Sequence, residues 1–278
     1  MKLIQFFDKL EDHKIYYKPN QGNGGDALIA AGAFELFKTK DLNVEIITGD
    51  DYSYLKGKTV MYAGGGNLVK EYNNCADFIE KVHRSVKKLV VLPHTVNGHE
   101  DLLKSLKSNV TIFCREQVSY DNLMKGDYNF NLFLDHDLAF HIDVHQYDLF
   151  KWISRASVLN MKLEIKNRLS SNKCSVLNAF RMDVEKTEIE IPNNNIDVSM
   201  QINHSSRMES RQVVQKTVRD IFQFLNRFEI INTNRLHIAI AAALLDKKVN
   251  MYGNSYYKNR AIYEYSILNR YPKVTFCG

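Results

Sequence analysis

The 278-residue sequence predicts an α/β fold of two Rossmann-like domains facing a phosphate-binding cleft. Three observations predict it. Short runs rich in Val, Ile, Phe and Tyr alternate with segments of helical spacing in both halves of the chain, the rhythm of parallel strands covered by helices. Several of these runs end in glycine-rich or charged turns, where open parallel sheets hold ligands. The chain is 45% hydrophobic and 25% charged, so it can bury a core without covalent staples.

In the first half the expected strands are Lys14–Tyr17, Val44–Thr48, Thr59–Ala63, Leu89–Pro93, Val110–Cys114 and Phe130–Leu134. They are short and almost continuously apolar, as strands buried on both faces are. Helices are expected between them at Asp26–Phe37, Asn73–Val86, Glu100–Leu106 and Glu116–Met124. The segment Gln146–Leu169 reads as one long helix, with Phe150, Ile153, Val158 and Met161 approximating an apolar stripe. The domain boundary is drawn just before it, giving domains 1–145 and 146–278. No Pro/Gly/Ser-rich linker marks the join, so close packing of the two is expected. In the second half the expected strands are Cys174–Phe180, Ile196–Met200, Glu229–Asn232, Lys248–Tyr252 and Lys273–Phe276. Helices are expected at Arg211–Arg227, Asn234–Leu245 and Lys258–Leu268, and an exposed loop over Glu185–Asn195.

The net charge is +5, from 37 basic and 32 acidic residues. This excess is mild and dispersed, which suits anionic small ligands and argues against nucleic acid. Cys75, Cys114, Cys174 and Cys277 form no C-x-x-C pair and read as free thiols in a reducing compartment. The N-terminal stretch is interrupted by Asp8 and Lys9 and does not read as a signal peptide, and no run approaches the roughly 18 apolar residues of a membrane span. A cytoplasmic enzyme, free or at the inner face of the membrane, is expected.

The candidate site residues follow predicted strands. Gly22-Asn23-Gly24-Gly25-Asp26 opens a helix whose free N–H groups can face an anion. Asp26 there reads either as a helix cap or as a contact or base for a hydroxyl group. Gly64-Gly65-Gly66-Asn67 reads as a close approach to a ligand or to another backbone, with a flexible crossover loop as the alternative. His94, in Leu92-Pro93-His94-Thr95, is expected at the rim as an acid/base candidate, and Arg115 either binds an anion or pairs with Glu116. The run Asp135-His136-Asp137 with His141, Asp143 and His145 matches no zinc spacing, and no metal is expected. The sharpest signal lies in the second half. Arg181, Arg235, His237 and Lys258 all follow strands of one predicted sheet, with Ser255 and Tyr257 beside Lys258. Cations at helix N-termini oppose the helix dipole unless a shared anion lies there. Several such residues therefore point to a phosphate pocket more than to scattered solvated charges.

These motifs occur in a characteristic order: GNGGD, GGGNL, LPHT, RE-x-x-S, D-x-A-F at Asp137–Phe140, NAFR-x-D-x-E, TNRLH and SYYKN. In this the chain resembles the polysaccharide pyruvyl transferase family over about residues 15–265. The resemblance implies two Rossmann-like domains in a GT-B-like arrangement, with residues 1–145 on the acceptor side and 146–278 on the phosphoenolpyruvate side. It implies phosphoenolpyruvate as co-substrate with no other cofactor, and a glycan or lipid-linked sugar as acceptor. The product implied is a pyruvate ketal on a surface polysaccharide or its precursor. His237 is then the expected general acid, with Arg235 and Asp26 also catalytic. Arg181, Lys258, Asn23, Gly65, Asn67, His94, Arg115, Ser255 and Tyr257 are expected to bind substrate. The family often has Gln where this chain has His94. A GT-B glycosyltransferase using a nucleotide sugar, or a non-catalytic binding protein on the same fold, remain alternatives. Peripheral membrane attachment and homo-oligomerisation are left open.

Overall fold

The computed structural model describes residues 1–12, 14–149, 175–183 and 188–278. The described residues divide into two compact units, one of Met1–Asn20 with Gly32–His141 and one of Gln21–Ala31 with Ile142–Gly278.

The first unit is built on a seven-stranded sheet in which every pairing is parallel. Its elements in chain order are α1 (Leu3–Phe7), β1 (Ile15–Lys18), α2 (Gly24–Thr39), β2 (Val44–Ile46), β3 (Thr59–Tyr62), β4 (Gly65–Val69), α3 (Asn74–Val82), β5 (Lys88–Asn97), α4 (Glu100–Ser105), β6 (Val110–Cys114), α5 (Gln117–Met124) and β7 (Asn131–Leu134). The strand order is β2-β1-β3-β5-β6-β7, with β4 pairing to the later part of β5. β5 and β6 are buried along nearly their whole length, which is why they read as unbroken apolar runs. On α3, Cys75, Ala76, Phe78, Ile79 and Val82 are buried, a helical stripe packed in the core with Val91, Val96 and Ile112. The first eight residues of α2, up to Ala31, group with the second unit.

The second unit carries a four-stranded parallel sheet in the order β11-β10-β9-β8. Its elements are β8 (Val176–Asn178), α6 (Val198–Gln201), α7 (Arg211–Leu225), β9 (Ile230–Thr233), α8 (Leu236–Leu244), β10 (Lys248–Tyr252), α9 (Lys258–Ile262), which passes into a π-helical turn over Tyr263–Ile267, and β11 (Val274–Cys277). α7 starts at Ser210, whose hydroxyl accepts from the Val213 N–H, and it buries Val214, Val218, Ile221, Phe222 and Leu225. Burial of each such side chain stabilises the unit by roughly 1.5–3 kcal/mol. α8 is buried almost all round, from Ile238 to Ala243, which its run of small residues allows.

Two sequence expectations change. Ile196–Met200, expected as a strand, is instead two irregular residues, Ile196 and Asp197, followed by the first three residues of α6. Its β-branched residues are buried as a strand's would be, but Ile196 donates its backbone N–H to Asn178 O while Asn195 pairs through its side-chain amide with the backbone of Phe180, so a side chain replaces a strand ladder. The glycine-rich Gly65–Val69, expected as a loop, is strand β4. The long helix expected over Gln146–Leu169 lies mostly outside the described residues, where only a 3-10 turn over Val144–Gln146 touches its start. Among the described residues no helix is long and apolar enough to cross a membrane.

Candidate active site

The loops after β8, β9 and β10 are tied together by the polar residues that end those strands. The Thr233 hydroxyl donates to Ala179 O at 2.7 Å and accepts from the Arg235 N–H at 3.0 Å, welding two strand ends. Asn234 is fully buried, and its side-chain oxygen accepts from the Arg181 N–H at 2.8 Å. The Asn259 amide donates to Asn234 O and Tyr252 O at 2.8 and 2.9 Å, which brings in the third strand end. Behind them Asn250, Asn232 and Asn178 stand in register across β10, β9 and β8. Their amides donate in series at 2.8 Å, and the chain ends on Asn194. Half-buried amides cost free energy unless satisfied, and this ladder satisfies them along a fixed direction.

On this frame sit two guanidinium groups and two carboxylates. Arg181 and Arg235 are 7% and 6% exposed. Arg181 donates through Nε and Nη2 to the two oxygens of Asp183 at 2.7 and 3.0 Å. Arg235 donates through Nε and Nη2 to Asp197 at 3.0 and 2.6 Å. The same Arg235 Nη2 lies 2.9 Å from Asp183 Oδ2, so one carboxylate joins both arginines. Such forked pairs fix guanidinium planes as well as neutralising charge. Lys258 is buried at the start of α9, with its Nζ 4.8 Å from the centre of the Tyr256 ring. Ser255 beside it is exposed and Tyr257 half-buried.

The first glycine loop belongs to this same unit. Asn23 caps α2: its side-chain oxygen accepts from the Gly25 N–H at 2.8 Å, and Asp26 Oδ2 accepts from the Asn23 N–H at 2.9 Å. Asn23 thus caps at the second helical N–H, and Asp26 at the third position returns the bond to the Asn23 N–H as in a capping box. Gly22 is held to Ser206 O through its N–H and to the Asn203 amide through its carbonyl. His237, half-buried in the first turn of α8, lies against Gly25. A Cβ on Gly25 would sit 2.9 Å from His237 Nδ1 and 3.0 Å from Asn23 Oδ1. Gly25 is therefore required by close approach, and two motifs more than 200 residues apart in sequence meet there. Asp26, expected on the acceptor-side domain 1–145, groups with the unit that carries His237.

The candidates of the first unit form a frame of their own. Gly64 and Gly65 bring β4 alongside β5, and a Cβ on Gly64 would meet Pro93 O at 2.8 Å. The close approach is to backbone. His94 is not at a rim: it is fully buried inside β5, with Nδ1 3.1 Å from Ala63 O and Nε2 2.7 Å from Asn67 Oδ1. Burial, reinforced by the neighbouring Arg115 charge, drives its pKa down to about 3, so the ring is neutral. Asn67 also donates to Asn20 Oδ1 and Tyr62 Oη. Arg115 is 1% exposed and donates to Asp137 at 2.7 Å and to the Thr95 hydroxyl at 2.8 Å, rather than pairing with Glu116. Glu116 instead caps α5 by accepting from the Ser119 N–H, and burial raises its pKa. Ser119 in turn exchanges hydrogen bonds with both backbone groups of Val96. In the acidic run, Asp135 accepts from the Leu3 N–H, Asp137 from the Ala139 N–H and Asp143 from the His145 N–H.

The structure thus brings Arg181 and Arg235 onto one shared carboxylate, Asp183, and His237 onto the Asn23–Asp26 loop, while Gly65, Asn67, His94 and Arg115 brace the other sheet. Sequence reasoning missed Asp183 and Asp197 as partners of the arginines. Asp183, two residues after Arg181, was a visible signal; Asp197 was hidden in a segment read as a strand.

The family model described as "Polysaccharide pyruvyl transferase" matches residues 23–256, which hold the first glycine motif from Asn23 on, the whole of the second, and the strand-end residues above up to Tyr256. A Bacillus subtilis (strain 168) protein named "Putative pyruvyl transferase EpsO" is 27% identical over 271 residues, covering 87% of this chain and 81% of the relative. A crystal structure of a functionally uncharacterised protein from Klebsiella pneumoniae subsp. pneumoniae NTUH-K2044 matches with a TM-score of 0.80 at 31% identity, covering 99% of this chain and 98% of that one. With its family model spanning most of its length, the chain belongs to the polysaccharide pyruvyl transferase family and is a pyruvyl transferase enzyme.

Proposed function

We propose that the enzyme transfers the pyruvyl group of phosphoenolpyruvate to two hydroxyls of one sugar in a surface glycan or its precursor, leaving a ketal and inorganic phosphate. The observation that carries this reading is the carboxylate of Asp183 seated between the guanidiniums of Arg181 and Arg235 at the ends of β8 and β9. That position already binds an oxyanion of the kind the donor carries twice, as carboxylate and as phosphate. The N-terminus of α8 follows directly, and Lys258 opens the next helix.

The reaction asks for a proton and for anion stabilisation. His237, proposed as the general acid, gives a proton to the methylene carbon of the donor as a sugar hydroxyl adds to C2 and releases its own proton to the site. The C2–O bond to phosphate then breaks, and the arginines and Lys258 stabilise the departing dianion. The second hydroxyl adds to C2, loses its proton and closes the ketal, so one donor and one diol give one ketal and one phosphate. Asp26 acts as a positioning residue that holds the Gly25 loop against the imidazole. The work is proposed to take place on the cytoplasmic side, before glycan export, by a GT-B-like pair of domains.

The test is incubation of the purified enzyme with phosphoenolpyruvate and a panel of lipid-linked and soluble glycans. Acceptor-dependent phosphate release is expected, with loss of turnover of at least about 100-fold in His237→Ala. No phosphate release over the panel, together with no donor binding by calorimetry, overturns the reading.

A further inference from the structure

The chain between α6 and α7 carries a buried pair that the proposed reaction does not use. The segment Asn203-His204-Ser205-Ser206-Arg207 has no helix or strand of its own, only a single antiparallel bridge from Arg207 to Gln21. Irregular chain of this kind keeps one position only where specific bonds offset its conformational entropy. On one side the segment is tied to the first glycine loop. The Asn203 amide donates to Gly22 O at 3.0 Å, and Gly22 donates its N–H to Ser206 O at 2.9 Å. On the other side it is tied to α7. His204 donates its backbone N–H to the Thr217 hydroxyl at 3.4 Å and its Nε2–H to Asp220 Oδ2 at 2.7 Å.

Asp220 is fully buried on α7, beside Val218, Ile221 and Phe222, and the His204 side chain is 11% exposed. Arg219 Nε lies 3.7 Å from the second oxygen of Asp220. A carboxylate in such a place costs free energy that an apolar side chain would not, and a buried pair adds little stability over apolar residues of its size. What the pair supplies is direction, because a short bond to a carboxylate admits one placement of the imidazole.

That placement reaches His237. The first turn of α2 is pinched between two neighbours at consecutive glycines. A Cβ on Gly24 would meet Ile202 O at 2.8 Å and Ser199 O at 3.1 Å, and one on Gly25 would meet His237 Nδ1 at 2.9 Å. Bare backbone thus lies against the chain around residue 202 on one side and against the imidazole on the other, with no side chain between to absorb a shift. All of these residues belong to the second unit.

We propose that His204 and Asp220 are a positioning pair for His237. Asp220 fixes His204, His204 fixes the segment that holds the glycine loop, and the loop sets where the His237 ring stands. The effect of the pair on turnover rests on the reading of His237 as general acid; its effect on the ring does not.

The experiment uses the full chain and the ring C–H signals of its nine histidines, with the His237 signal identified by its loss in His237→Ala. His204→Leu combined with Asp220→Leu removes the bond and keeps apolar packing. His204→Gln keeps an N–H donor at the place of Nε2 without an imidazole. The His237 signal is expected to move in the double-leucine variant and to return to its wild-type position in His204→Gln. In turnover, the double-leucine variant is expected to lose about tenfold in kcat, with phosphoenolpyruvate affinity by calorimetry within twofold. The same double change made in His237→Ala is expected to leave the residual turnover within twofold, because a residue that acts through His237 has nothing left to position. Should the double-leucine variant not fold, His204→Asn replaces it, since its amide reaches only the place of Nδ1. The proposal is overturned if the His237 signal stays put when the bond is removed, if His204→Gln moves it as far as the bond-breaking variant, or if the losses from His237 and from the pair simply multiply. Absence of any turnover by the wild type strikes the pyruvyl transfer reading alone, since the ring signals are read without substrate.

Discussion

Asp183 joins two arginines, yet its side chain is 35% exposed where Asp197 is 8% exposed. The difference separates their duties. Asp197 also accepts from the Met182 N–H and anchors Arg235 in a buried fork, so it fixes the frame. Asp183 is a wetter anion on the same cations, and it competes with any ligand anion that arrives there. Asp183→Asn is therefore expected to tighten phosphoenolpyruvate binding by about tenfold, equivalent to ~1.4 kcal/mol, as read by calorimetry. Unchanged or weaker binding would show that the carboxylate helps the donor site more than it blocks it. His94 poses a different residue-scale question. Its pKa falls from an ordinary 6.5 to about 3 because burial disfavours the imidazolium. Below pH 6.5 the unfolded chain takes a proton that folded His94 refuses, so stability is full above that pH and is lost as pH falls toward about 3. His94→Gln cannot titrate. Urea unfolding at pH 7.5 and pH 5 should show wild type losing up to about 2 kcal/mol more than the variant over that interval; parallel losses would refute the assignment.

At the scale of elements, the sequence showed most strands because parallel strands buried on both faces announce themselves as apolar runs; Val110–Cys114 and Lys248–Tyr252 appear with the bounds read from sequence. Gly65–Val69 escaped because its pairing with β5 depends on the absence of side chains, the opposite of a strand signal. The site was half legible. The order of charged residues after strands located Arg181, Arg235 and His237, but side-chain partners far apart in sequence, Asp197 for Arg235 and Asp137 for Arg115, leave no local pattern. That gap explains why the sequence offers Arg115 only an anion or Glu116 as partner, although its guanidinium pairs with Asp137 in the segment after β7. Removing one member of a buried pair costs roughly 3–5 kcal/mol, whereas replacing both by apolar residues is often near neutral. Asp137→Ala should lower the melting temperature sharply, and Arg115→Met combined with Asp137→Leu should recover most of it with phosphoenolpyruvate affinity intact. Loss of donor binding in the stable double variant would return Arg115 to the site.

For the molecule as a whole, the two sheets are framed by different means, and this predicts where a ligand is felt. The first sheet's strand ends are locked by buried, mutually satisfied groups: His94 with Asn67, Arg115 with Asp137, and Ser119 with Val96. Nothing in that arrangement depends on a bound anion. The second unit instead stacks cations at two helix N-termini, Arg235 and Lys258, against the helix dipoles, with Asp183 and Asp197 as counter-charges. An anion settling there relieves that conflict, and a ligand that binds only the folded state protects most the segments whose local opening releases it. Hydrogen exchange with and without saturating phosphoenolpyruvate should therefore show added protection over residues 22–26, 180–183, 234–237 and 255–259. Residues 64–67, 93–95 and 115–119 should exchange at the same rate in both conditions. Sulfate at equal ionic strength should reproduce only part of the effect, because it lacks the second anionic group that a carboxylate and a phosphate on one carbon frame supply. Protection concentrated instead on the first sheet's strand ends would mean that the donor is held by the residues assigned here to bracing, and the division of labour between the sheets would be reversed.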